Sequence, residues 1–226
     1  MDRRAVIFDM DGVLVDSYSA HFAAWQRLGA QLGRSITEAD FASVFGRRNR
    51  EIIQRFWGDL VPEEDVAAWS DRKESMYREI LLKDFLAMDG VGELLDALKA
   101  AGFALAIGSS GPPENIEAVL DGLGRQHFFD AVTGGLEVAH GKPDPEVFLL
   151  TARKLGLPPH RCAVIEDSVH GLEAARRAGA VPIALAGTAP HDRLAEWADL
   201  VVDSLRELSP RRIADLIDRT PSLTKP

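Results

Sequence analysis

Short, continuously apolar runs punctuate the chain at Ala5–Phe8, Phe103–Ile107, Ala131–Thr133, Cys162–Ile165, Val181–Leu185 and Leu200–Val202, each giving way to polar residues. Runs this short, without polar alternation, predict strands buried on both faces, as in a parallel sheet. Helical spacing separates most of them. Val91, Leu94, Leu95 and Leu98 mark one helix, which Gly102 is placed to end; Val147, Leu150 and Leu155 mark another, with Pro158-Pro159 as its exit loop. Strands alternating with helices predict an α/β fold, a parallel sheet with helices on both faces, whose ligands gather beyond the carboxyl ends of the strands.

One stretch breaks the alternation. From about Tyr18 to Leu82 the periodicity is helical throughout. Phe22, Trp25, Leu28 and Leu32 form one apolar stripe, with Asp16 or Ser17 as the expected N-cap; Ile52, Ile53, Phe56 and Trp57 form a second, and Val66, Trp69, Met76 and Ile80 a third. The expected organisation is a core of residues 1–16 plus 84–226 and an all-helical insert of residues 17–83. Its hinges would be Val13–Asp16 and Lys83–Val91. The Pro- and Ser-containing tail after Thr220 is expected to be loose.

With 226 residues, 46% hydrophobic and 27% charged, the chain can bury a core without a disulfide or structural metal. A net charge of −9 argues against binding a nucleic-acid backbone, though it leaves room for a local cationic pocket. The single cysteine, Cys162, lies in an apolar run and reads as a buried, inert thiol. Asp9, Asp11 and Asp16 interrupt the apolar run at Ala5–Phe8, so neither a signal-peptide core nor a membrane span is expected. A cytoplasmic protein is the expectation, and the helical insert and absence of repeats are compatible with a monomer.

The chemistry gathers where the apolar runs end. After the first run, Asp9 and Asp11 stand two residues apart and Gly12 follows. A turn there can aim both acids into one cleft, one to attack and one to move a proton. After the second comes Gly108-Ser109-Ser110-Gly111, a hydroxyl-rich turn suited to phosphate oxygens. Lys142, one of six lysines, precedes a helix in Gly141-Lys142-Pro143-Asp144-Pro145, and Glu166-Asp167 follows the fourth run. Taken singly, each has a plain explanation: a solvated acidic turn, a helix-capping serine, a surface lysine. Four in this order are harder to dismiss.

In these stretches the chain resembles the haloacid dehalogenase superfamily, in the subgroup of β-phosphoglucomutases and small-molecule phosphatases, from Ala5 to about Val202. The resemblance implies a Rossmann-like core with an inserted helical cap. It further implies that Asp9 is a nucleophile that becomes an aspartyl-phosphate and that Asp11 is the general acid and then the general base. Ser109 and Lys142 would bind the transferring phosphate. Mg²⁺ would lie between the Asp9 carboxylate, the Asp11 carbonyl and Asp167, with Glu166 as a further ligand or the ligands' immediate partner. Asp11 favours phosphoryl transfer over dehalogenation, because a halide leaves without a proton.

Ser17 and His21 also match a pattern near the first hinge in this subgroup, and Lys73 falls where the mutase cap carries a lysine. Arg47, within Gly46-Arg47-Arg48-Asn49-Arg50, is a candidate for an anionic substrate group, and Ser110 for the phosphate. Mutases carry Ser-Lys-Asn after the phosphate serine, whereas here Gly111, Pro112 and Pro113 offer neither charge nor a side-chain hydrogen bond. The expected activity is therefore hydrolysis of a small phosphorylated metabolite, with a mutase as alternative. A signalling receiver domain also phosphorylates an aspartate, but it is shorter and lacks both the second acid and the helical insert.

Overall fold

A computed structural model describes residues 3–59 and 61–219; the tail after Thr220 lies outside them. The chain divides into two compact units, Met1–Asp16 with Ala87–Pro226, and Ser17–Leu86.

The first unit holds six parallel strands: β1 (Ala5–Phe8), β2 (Ala104–Gly108), β3 (Ala131–Thr133), β4 (Cys162–Glu166), β5 (Val181–Leu185) and β6 (Leu200–Val202), in the order β3-β2-β1-β4-β5-β6. This is the doubly wound order, and β1 sits at its switch point, paired with β2 on one side and β4 on the other. Helices of this unit are numbered with those of the other in chain order: α5 (Val91–Ala100), α6 (Pro113–Leu123), α7 (Glu146–Leu155), α8 (Val169–Ala178), α9 (His191–Ala195) and α10 (Pro210–Arg219).

The strands are apolar throughout because both faces are covered. Ala5, Ile7, Ala104, Ala106, Cys162 and Val164 face Val147, Phe148 and Ala152 of α7 and Ala174, Ala175 and Ala178 of α8. Small residues there admit the helices closely. On the other face α5 lies against β2 and α10 against β4. Burial pushes the Cys162 thiol up to about 12, against the pull of Arg161, which leaves it inert.

One detail differs from the pattern-based expectation. Strand β2 starts at Ala104, because the Phe103 N–H is spent on the Leu98 carbonyl at the end of α5. Helix α7 ends at Gly156, whose left-handed backbone (φ 68°) stops it just before the Pro158-Pro159 exit loop.

The second unit is helical in all its described regular structure: α1 (Tyr18–Gln31), α2 (Glu38–Ala42), α3 (Asn49–Trp57) and α4 (Glu63–Lys83), with α1 and α3 packed against α4. Trp25, Leu28, Ile53, Tyr77 and Leu81 form its buried interior. Ser17 precedes α1 but does not cap it. Its backbone is already helical (φ −100°, ψ −7°), so the hydroxyl cannot turn back to the first N–H groups, and Ser17 Oγ is buried without a hydrogen bond. Helix α2, which the apolar pattern missed, starts from a reciprocal cap between Thr37 and Asp40. Among the described residues no helix is long and apolar enough to cross a membrane.

Ile7, fully buried between β2 and β4, tests the sheet core. We expect Ile7→Ala to cost ~2–5 kcal/mol of unfolding free energy in urea titrations; a loss under ~1 kcal/mol would mean the strand is not packed as described.

Candidate active site

At the end of β1 the Asp9 N–H donates to the Ile165 carbonyl (2.9 Å), which extends the ladder by one residue and sets Asp9 beside the end of β4. The chain then coils back on itself: the Met10 carbonyl accepts from Leu14 (2.8 Å), Val15 (3.2 Å) and Val13 (3.3 Å), and the Gly12 N–H reaches the Val15 carbonyl (2.9 Å). This coil needs the positive φ of Gly12 (74°) and holds Asp11 within electrostatic range of Asp9.

Lys142 reaches the site from the loop that precedes α7. Its ammonium donates to Asp9 Oδ1 (2.7 Å) and Glu166 Oε1 (2.8 Å) and lies 4.9 Å from the centre of the Phe148 ring. It is not a surface charge; 9% of its side chain is exposed. The loop that presents it is tied at both ends. His140 N–H donates to Glu146 Oε2 (2.9 Å), Asp144 N–H to the Gly141 carbonyl (3.0 Å), and Glu146 N–H to Asp144 Oδ1 (3.0 Å).

Glu166 and Asp167 enter from the end of β4. Glu166 Oε2 accepts from Ser168 N–H (2.6 Å), and Ser168 Oγ caps α8 through Gly171 N–H (3.0 Å). Two glycines make room for the acids. A Cβ on Gly171 would lie 1.6 Å from Glu166 Oε1, and one on Gly12 would lie 2.2 Å from Asp167 Oδ2. The carboxylates therefore occupy the volume where other residues carry side chains.

Ser109 is buried; its N–H donates to the Thr133 carbonyl (3.0 Å) and its Oγ accepts from Gly111 N–H (2.9 Å). It caps no helix, since Pro112 holds the N-cap position of α6. Its loop packs on the first-strand coil, a Cβ on Gly111 lying 3.3 Å from Met10 Cε. Ser110 is exposed.

In the helical unit, His21 and Lys73 come together, with Nδ1 and Nζ 2.6 Å apart. Lys73 is 2% exposed, donates to Glu74 Oε1 (2.9 Å) and lies over the rings of Trp25 and Tyr77, on which His21 stacks (3.8 Å). Arg47 is exposed and paired with Glu51 (3.7 Å).

Electrostatics mark the core cluster as short of positive charge. Burial pushes the Asp9 carboxyl up to about 7; Lys142 pulls it back, while Glu166 and Asp11 drive it higher. Burial, then Glu166 and Asp9, raise Asp167 well above the usual carboxylate range. Burial works against the Lys142 charge, but Asp9 and Glu166 outweigh it and hold its pKa raised. Asp9, Glu166 and Asp167 each offer an oxygen within 4.8 Å of the others, all buried. Hard carboxylate oxygens with surplus negative charge suit a divalent cation such as Mg²⁺, so the donor set fits that ion.

Sequence reasoning singled out these residues but missed three features. Lys142 bridges to Glu166 as well as Asp9, Gly171 makes room for Glu166, and Thr188 donates to the Asp167 carbonyl. A glycine at the third position of a helix was the available signal for Gly171; a lone threonine in a polar loop gave none.

The chain is similar to several known proteins. A family model described as haloacid dehalogenase-like hydrolase matches residues 3–179. A phosphorylated carbohydrates phosphatase from Thermotoga maritima is 34% identical over 179 residues, covering 77% of this chain and 81% of its own. A β-phosphoglucomutase from Bacillus subtilis is 30% identical over 218 residues, covering 91% and 92% respectively. The crystal structure of a HAD hydrolase, family IA, variant 3, from Entamoeba histolytica superposes with a TM-score of 0.88 at 27% identity, over 96% of this chain and 100% of that one.

Gly12→Ala imposes both backbone strain and a clash with Asp167. We expect it to lower stability in chelator by more than ~1 kcal/mol. Urea curves superimposing on those of the parent would show that Asp167 does not fill this space.

Proposed function

The chain belongs to the haloacid dehalogenase-like hydrolase family, and we propose that within it the protein is a Mg²⁺-dependent phosphatase. It would hydrolyse a small phosphorylated metabolite, a sugar or organic-acid phosphate, through an aspartyl-phosphate on Asp9. The observation that carries this reading is the buried convergence of Asp9, Lys142, Glu166 and Asp167 at one end of the sheet.

In the first step an Asp9 carboxylate oxygen attacks phosphorus, the ester P–O bond breaks, and Asp11 gives a proton to the departing alkoxide. In the second, Asp11 takes a proton from water, the water oxygen attacks phosphorus, and the Asp9 carboxylate leaves, releasing inorganic phosphate. Division into two displacements lowers the barrier of each. Lys142, already on Asp9, offsets the repulsion between carboxylate and phosphate, and Ser109 orients the phosphate oxygens. Asp9, Asp167 and the Asp11 carbonyl would hold Mg²⁺, with Glu166 beside them; bound there, the ion supplies positive charge against which the phosphoryl group transfers. The helical unit, residues 17–83 in this reading, is assigned to substrate selection through His21, Arg47 and Lys73, with Ser110 contributing from the core.

Hydrolysis is favoured over isomerisation by the start of α6. Pro112 and Pro113 have no N–H, Gly111 has no side chain, and Glu114 places negative charge in the first turn. A second substrate phosphate finds little there to bind it. The Thermotoga relative's name supports a sugar phosphate as substrate; the Bacillus relative keeps mutase as the second reading. A receiver domain does not fit a chain of this family.

We expect inorganic phosphate to be released from sugar monophosphates with Mg²⁺ and not in excess chelator. Asp9→Asn should abolish turnover and Asp11→Asn slow it by at least ~10²-fold. Parent-like activity in Asp9→Asn would reject the covalent scheme. Given β-glucose 1-phosphate and a bisphosphate activator, the protein should release phosphate faster than it forms glucose 6-phosphate. The reverse order of rates would assign a mutase.

A further inference from the structure

Asp167 is 4% exposed, yet its neighbours differ from those of the other two acids. Asp9 and Glu166 share the Lys142 ammonium, and Glu166 also accepts a backbone N–H. Asp167 instead meets the bare Cα of Gly12 on one side and the Thr188 hydroxyl on another.

Thr188 arrives from the loop after β5. Ala186 N–H donates to the Val202 carbonyl (2.8 Å), which carries the ladder with β6 one residue past the strand. Two residues later Thr188 Oγ1 donates to the Asp167 carbonyl at 2.5 Å. Thr188 itself is exposed. A β-branched side chain has few rotamers, so its hydroxyl direction is well fixed.

We propose that Thr188 is a positioning residue for the divalent cation, holding Asp167 so that its carboxylate converges with those of Asp9 and Glu166. This rests on the reading that these acids bind Mg²⁺. Residues that orient a metal ligand typically influence affinity by ~10–100-fold when removed. The hydroxyl touches no reacting atom; its effect passes through Asp167.

The test is calorimetric titration of Mg²⁺ into metal-free protein. Thr188→Val keeps the shape and removes the hydroxyl, and we expect Mg²⁺ to bind it ~10–100-fold more weakly. Thr188→Ser should bind within a few-fold of the parent, and unfolding midpoints in chelator should agree for all three. Should the valine variant fail to fold, Thr188→Ala takes its place. Parent-like Mg²⁺ affinity in the hydroxyl-free variant would overturn the role of Thr188 while leaving the metal site standing. No Mg²⁺ binding by the parent would overturn the metal reading itself, and this inference with it.

Discussion

Three buried carboxylates share one end of the sheet with a single ammonium, and the surrounding structure manages that imbalance. Isolated buried charges are costly, and like charges close together are costlier still. Lys142 answers part of the cost through short hydrogen bonds to Asp9 and Glu166. The remainder appears as raised proton affinity at Asp9 and Asp167. Hard carboxylate oxygens gathered this closely are a donor set that fits a divalent cation.

The sheet makes the cluster geometrically inevitable once its register is set. Phe8 pairs with both Ile107 and Ile165, so the residues just beyond β1, β2 and β4 emerge side by side. Small residues in the strands let α7 approach, and Phe148 of that helix lies beneath the Lys142 ammonium. The loop of Lys142 is fastened to the first turn of α7 by Glu146 and Asp144. A core-packing helix thus also fixes the position of a site residue 133 positions away from its partner Asp9.

The two units handle buried charge differently. In the core, one lysine neutralises acids and leaves a deficit suited to an added cation. In the helical unit, Lys73 is paired with Glu74, hydrogen-bonded to His21 and set against two aromatic faces. Membership of the haloacid dehalogenase-like hydrolases accounts for the shared framework of the core.

The order of strands and helices was readable from the chain alone, because periodicity is a property of neighbouring residues and strands covered on both faces are apolar without interruption. Asp9, Asp11, Ser109, Glu166 and Asp167 stood out for a related reason, since polar residues directly after such runs are where a parallel sheet exposes chemistry, and Lys142 stood out at the entry to a helix. Tertiary structure decided the rest. That Lys142 bridges two acids, that Gly171 leaves room for Glu166, and that Lys73 is buried rather than solvated depend on which distant segments meet. Thr188 left no trace in the pattern, since a polar residue in a loop looks the same whether it faces water or Asp167. Ser17 looked like a helix cap, but its backbone had already turned helical, and residue type cannot reveal that torsion.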